Sequence, residues 1–137
     1  MKKVAVMLAD GFEDIEALAT VDILRRAGVH VDMVSIKDEL VTSAHNVVVK
    51  SDKLIGDDIE EYDMIVCPGG LPGAEYLSKC DRLIEAIRNF DKMQNKYIAA
   101  ICASPAMVLS AAGIEEDRYI TSYPGEDFEN MLEKANY

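Results

Sequence analysis

Apolar runs of strand composition alternate with helical segments along this 137-residue chain, and that alternation restricts the fold more than any other feature. Lys3–Leu8, Val29–Ile36, Met64–Cys67 and the run that begins at Tyr97 read as strands, the first and the last two as buried ones. Glu13–Ala27 is helical and closed by Gly28. Asp81–Lys92, the stretch from Pro105 to Ala112 and Glu126–Lys134 are further helices, with Gly113 stopping the second of these three. Glu39–Thr42 and Val47–Lys50 read as a hairpin around Ser43–Asn46, and Tyr119–Thr121 as a short strand. Strands alternating with helices imply a mainly parallel sheet covered on both faces, in one α/β domain spanning residues 1–137. Ligands in such sheets sit outside the carboxyl ends of the strands. Three unusual segments fall there: Asp10–Glu16, Pro68–Gly70 and Cys102–Ser104.

The third segment carries the chemistry. Tyr97-Ile98-Ala99-Ala100-Ile101 is strand-like, and Ser104-Pro105 is a good helix start, because a hydroxyl can cap free N–H groups and proline has none to leave unpaired. Cys102 therefore lies in a sharp turn between a strand and a helix N-terminus, the geometry of a nucleophile elbow without the Gly-x-Ser-x-Gly pattern. Partial positive charge at the helix start is expected to lower the thiol pKa. The Ala103 N–H is placed to donate to an oxyanion beside the sulfur.

Pro68-Gly69-Gly70 follows a buried strand, where paired glycines let backbone N–H groups approach a ligand, although a plain tight turn has the same composition. Glu13, Asp14 and Glu16 crowd the first turn of the first helix, where the macrodipole favours carboxylates. One of them could reach Cys102 and share a proton with it, but the residues alone do not say which. His30 alternates with valines in a strand and His45 occupies a hairpin tip, so neither is an obvious base for Cys102. Cys67 reads as core and Cys80 as surface.

A formal charge of −11 argues against nucleic acid or an anionic membrane as partner. The apolar run after Lys2-Lys3 is too short for a signal peptide or a membrane span. Three cysteines without CxxC spacing fit a reduced, cytoplasmic protein with neither a structural metal nor a disulfide framework.

Four ordered motifs resemble the ThiJ/PfpI superfamily, closest to its parkinsonism-associated, glyoxalase III-like deglycase branch. They are Asp10-Gly11-Phe12-Glu13-Asp14-Ile15-Glu16, Val21-Asp22-Ile23-Leu24-Arg25-Arg26-Ala27-Gly28, Pro68-Gly69-Gly70-Leu71-Pro72-Gly73-Ala74 and Ala99-Ala100-Ile101-Cys102-Ala103-Ser104-Pro105. The resemblance implies a flavodoxin-like, three-layer sandwich of class I glutamine amidotransferase type, a homodimer, and no metal or organic cofactor. It implies Cys102 as the reactive cysteine, Glu16 as the carboxyl bonded to its sulfur, and the Gly70 and Ala103 N–H groups as an oxyanion hole. Arg26, His45 and Tyr123 fall where the family places pocket or dimer-contact residues; Tyr123 stands where several members carry a histidine. Ala103 replaces the histidine of the peptidase-like branch, which speaks against a Cys-His peptidase. Family members continue with a hairpin and a long helix, so the resemblance also implies that these are missing here. The activity expected is a cysteine-dependent reaction of small α-oxoaldehydes. The rival expectation is a redox-responsive chaperone or sensor whose Cys102 oxidises to a sulfinate.

Overall fold

The structure, a computed structural model, describes residues 2–136. Five strands form a parallel sheet: β1 (Lys3–Leu8), β2 (His30–Ser35), β5 (Lys53–Leu54), β6 (Met64–Cys67) and β7 (Tyr97–Ala100), in the order β5-β2-β1-β6-β7. The remaining two, β3 (Leu40–Thr42) and β4 (Val48–Lys50), form an antiparallel hairpin. The helices are α1 (Asp14–Arg26), α2 (Gly73–Ser78), α3 (Asp81–Asp91), α4 (Ser110–Ala112) and α5 (Glu126–Met131), with a π-type turn over Pro105–Leu109 leading into α4.

Side-chain alternation along β1 divides the core in two. Val4, Val6 and Leu8 pack with Phe12, Ala17 and Val21 on the α1 side of the sheet. Ala5 and Met7 pack with Leu83, Ala86 and Ile87 of α3 on the other. A strand buried on both faces needs apolar residues at every position, which is why β1 reads as an unbroken run. From β1 the chain builds outward to β2 and β5, then returns to place β6 on the other flank. The switch point lies between the carboxyl ends of β1 and β6, where a crevice is expected.

Several sequence expectations change in detail. The Tyr97 run is an edge strand, with Tyr97 57% and Ile101 49% exposed, because nothing among the described residues pairs beyond it. Beside it, an apolar trough of about 480 Å³ runs between α1 and the β6–β7 face, lined by residues that include Ile23, Leu24, Met64 and Val66. Tyr119 makes only an isolated bridge to Asn136, so Tyr119–Thr121 is not a strand. The last helix stops at Met131 because Leu132 turns into the core and the Lys134 carbonyl accepts from the Asp117 N–H.

Candidate active site

Cys102 follows β7 with φ = 61°, a left-handed conformation that non-glycine residues rarely adopt. Surrounding bonds hold it there. Its carbonyl accepts from the Tyr123 N–H at 2.7 Å and the Ser122 hydroxyl at 2.9 Å. Two residues on, the Ser104 hydroxyl donates to the Pro68 carbonyl at 2.5 Å instead of capping the helix, so it ties the elbow to the loop after β6. A strained residue fixed from several sides is a common property of functional turns.

The loop after β6 closes the other side. A Cβ on Gly69 would lie 2.6 Å from the Cys102 Cβ and 2.6 Å from Glu16 Oε1, so only a glycine backbone passes between these two side chains. The Gly69 N–H donates to Glu16 Oε1 at 2.9 Å, and the Gly69 carbonyl accepts from the Glu13 N–H at 2.9 Å. Neither bond is visible from sequence spacing.

The three crowded carboxylates separate by task. Glu13 caps α1, accepting from the Glu16 N–H at 2.9 Å. Asp14 accepts from the Ser43 hydroxyl at 2.6 Å and lies 3.0 Å from His45 Nδ1, binding the hairpin tip to the helix. The Ser43 hydrogen bond, then His45, holds the Asp14 carboxyl below the usual carboxylate range. Glu16 alone of the three turns toward Cys102, and its carboxyl and the Ala103 and Gly70 N–H groups act together on the thiol. The structure thus brings Cys102, Glu16, Gly70 and Ala103 together.

The remaining candidates lie differently. His45 is largely exposed on the hairpin, beside Glu13 and Asp14 rather than against the sulfur. Tyr123 adjoins the elbow through its backbone; the residue is 55% exposed and its ring meets Phe128 edge-on at 5.9 Å. Arg26 sits in the last turn of α1, paired with Asp22 at 3.0 Å. Ten residues of helix put it about 15 Å along the axis from Glu16, away from the cysteine. Cys67 is fully buried beneath the crevice, and burial pushes its thiol up to about 12. Cys80 is partly buried rather than on the open surface.

The thiol does not follow the expectation of a lowered pKa. Burial, and then the negative charge of Glu16, hold the Cys102 thiol above its ordinary value, although the Ala103 and Gly70 N–H groups act the other way. Helix-terminus donors are outweighed by desolvation and by a carboxylate in contact with the sulfur. The arrangement is therefore a thiol held above its ordinary value beside a carboxylate placed to take its proton. Glu16→Gln removes the charge while nearly keeping the shape. Alkylation of Cys102 by iodoacetamide at neutral pH should then become several-fold faster, with its pH midpoint displaced downward. An unchanged or slower rate would show that another group keeps the thiol protonated.

A model of the DJ-1/PfpI family matches residues 2–137. Protein DJ-1 homolog A of Arabidopsis thaliana is 36% identical over 125 residues, covering 90% of this chain and 32% of that protein. The glutathione-independent glyoxalase DJ-1 of Schizosaccharomyces pombe is 31% identical over 146 residues, covering 100% of this chain and 74% of that protein. The solved structure of oxidized Toxoplasma gondii DJ-1 superposes with a TM-score of 0.85 at 39% identity, over 98% of this chain and 74% of the other. The chain spans about a third of the length of the Arabidopsis relative and about three quarters of the fission-yeast one. Since the family match takes in β1 through α5 together with the cysteine elbow, the chain belongs to the DJ-1/PfpI family.

Proposed function

We propose that the chain is a cysteine-dependent enzyme acting on small α-oxoaldehydes, of the glutathione-independent glyoxalase or deglycase type. The observation that carries this reading is the convergence of one carboxyl and two backbone N–H groups on a single strained cysteine. The name of the fission-yeast relative adds support.

In this reading the Cys102 sulfur adds to the aldehyde carbon as its proton passes to the Glu16 carboxylate. The aldehyde oxygen becomes an alkoxide held by the Gly70 and Ala103 N–H groups, then takes that proton back to give a hemithioacetal. Glu16 next removes the proton from the former aldehyde carbon, leaving an enediolate, and returns it to the neighbouring carbon as the hydroxyl proton shifts to the neighbouring oxygen. The product is a 2-hydroxy thioester. Water cleaves it to the 2-hydroxy acid and the free thiol, so methylglyoxal plus water gives lactate and no electrons leave the pair. Every step uses residues of this chain. The raised thiol pKa suits the scheme, because the sulfur loses its proton only as it attacks. The test is methylglyoxal consumption by the purified chain, with variants taken up in the Discussion.

The same proposal includes a cytoplasmic homodimer with Arg26 or His45 near a pocket or subunit contact, and Tyr123 as a substrate-orienting hydroxyl. No helix among the described residues is long and apolar enough to cross a membrane.

A second reading draws on the oxidized state of the Toxoplasma relative. Two equivalents of peroxide would convert the Cys102 thiol to a sulfinate beside protonated Glu16, in a redox-responsive chaperone or sensor. Peroxide titration followed by peptide mass is expected to show Cys102 oxidised ahead of buried Cys67. Earlier oxidation of Cys67 or Cys80 would remove the basis for this reading.

A further inference from the structure

A cavity of about 390 Å³ opens at the carboxyl edge of the sheet, and Cys102 is not among its walls. Ala9 at the end of β1 and Ser35-Ile36 at the end of β2 line one side. Leu40 and Val41 of β3 and Tyr76 of α2 line others, with Cys80 just beyond α2. The volume falls within the range of small-molecule sites, roughly 300–1,000 Å³, and most of the wall is apolar. Four charged side chains share the lining: Lys37, Lys79, Asp10 and Asp38.

These charges are incompletely used. The side chains of Lys37 and Asp38 make no hydrogen bond or ion pair among the described residues. Lys79 pairs with Glu75 at 3.0 Å, and Asp10 spends only Oδ1, which accepts from the Thr42 N–H at 3.0 Å. Ser35 is 1% exposed; its hydroxyl oxygen accepts from the Lys37 N–H at 3.2 Å, and no acceptor for its own proton is present among the described residues. A buried hydroxyl with spare donor capacity favours an acceptor-bearing ligand. A simple anion would meet Asp10, Asp38 and a chain of charge −11, whereas a simple cation would meet two lysines. A molecule carrying both charges on an apolar body satisfies the whole lining.

We propose that this cavity is a second binding site, for a small apolar zwitterion with the chemistry of an apolar α-amino acid. Its carboxylate goes to Lys37 and the Ser35 hydroxyl, its ammonium to Asp10 and Asp38, and its side chain against Ile36, Leu40 and Tyr76. The site is independent of the chemistry at Cys102.

Titration of the full chain with L-phenylalanine tests this, read by ¹H–¹⁵N spectra and by maleimide labelling mapped on peptides. Saturable shifts confined to residues 9–10, 35–41 and 76–80 are expected, with slower labelling of Cys80. Removing either charge from the probe, as in 3-phenylpropanoate or phenethylamine, should weaken binding at least about tenfold. Lys37→Met should weaken binding about fivefold or more, the cost of one charge-assisted contact, with the melting temperature unchanged because the ammonium has no partner to lose. The proposal is overturned by the absence of saturable shifts up to about 20 mM, a concentration that would half-fill even a very weak site. Shifts centred on the Cys102 loop, a single-charge analogue that binds as tightly as the amino acid, or full affinity in Lys37→Met overturn it equally.

Discussion

Replacing Cys102 by alanine is expected to lower methylglyoxal consumption by at least about 10³-fold, because the covalent route then has no nucleophile. Glu16→Gln should cost about 10²–10⁴-fold, the usual contribution of a positioned proton-transfer group. What gives the pair of variants its force is the second readout. In Glu16→Gln the thiol is relieved of the carboxylate that holds its proton, so alkylation accelerates while turnover collapses. A merely structural Glu16 would not separate the two: damage to the elbow would change both in the same sense. Equal turnover in the wild type and both variants would end the enzymatic reading and leave the redox one. The pH dependence has a definite sign. Cys102 is raised above its ordinary value, so its alkylation in the wild type should still be climbing at pH values where an ordinary exposed thiol has levelled off.

The sheet was legible because each central strand must be apolar at every position, a local property of Val4–Leu8 and Met64–Cys67 that needs no knowledge of the rest of the chain. The elbow was legible for a similar reason: a strand meeting Ser-Pro at a cysteine leaves little choice of backbone path. Separating Glu16 from Glu13 and Asp14 was beyond periodicity, since all three share one helical turn and their partners lie far away in sequence. Glu16 meets Gly69 across 53 residues, and Asp14 meets Ser43 across 29. Helix α2 was hidden because Pro72-Gly73 has the composition of a turn, yet these residues open a helix whose Ala74 and Leu77 are buried. The direction of the Cys102 shift failed for a different physical reason. A helix start can be read from composition, whereas the contact of a carboxylate with the sulfur and the loss of water around it are tertiary facts that outweigh it.

Gly70→Ala should be the most disruptive small substitution in the crevice, and Gly28→Ala supplies its control. Both glycines have positive φ, 91° and 84°, so each alanine variant bears a left-handed penalty of roughly 1–2 kcal/mol. Space then divides them. A Cβ on Gly28 meets nothing within 4 Å, and that variant should lose only the conformational term. A Cβ on Gly70 would lie 2.4 Å from the Glu13 nitrogen, 2.5 Å from the Gly11 carbonyl oxygen and 2.8 Å from the Phe12 carbonyl carbon. All three are backbone atoms, so no side chain can swing aside, and the loops after β1 and β6 must part. Overpacking of this kind adds about 1–3 kcal/mol, which urea unfolding should register as a lower midpoint with an unchanged slope. Parting the loops also withdraws the Gly70 N–H from the sulfur and moves Gly69 away from Glu16. A donor lost from an oxyanion site costs about 10²–10³-fold in kcat, so turnover of folded Gly70→Ala should fall by at least that much while Gly28→Ala retains wild-type activity. If Gly70→Ala unfolded at the same urea concentration as Gly28→Ala and kept full activity, the close approach of the two loops would not be the element that aligns the cysteine with its carboxyl.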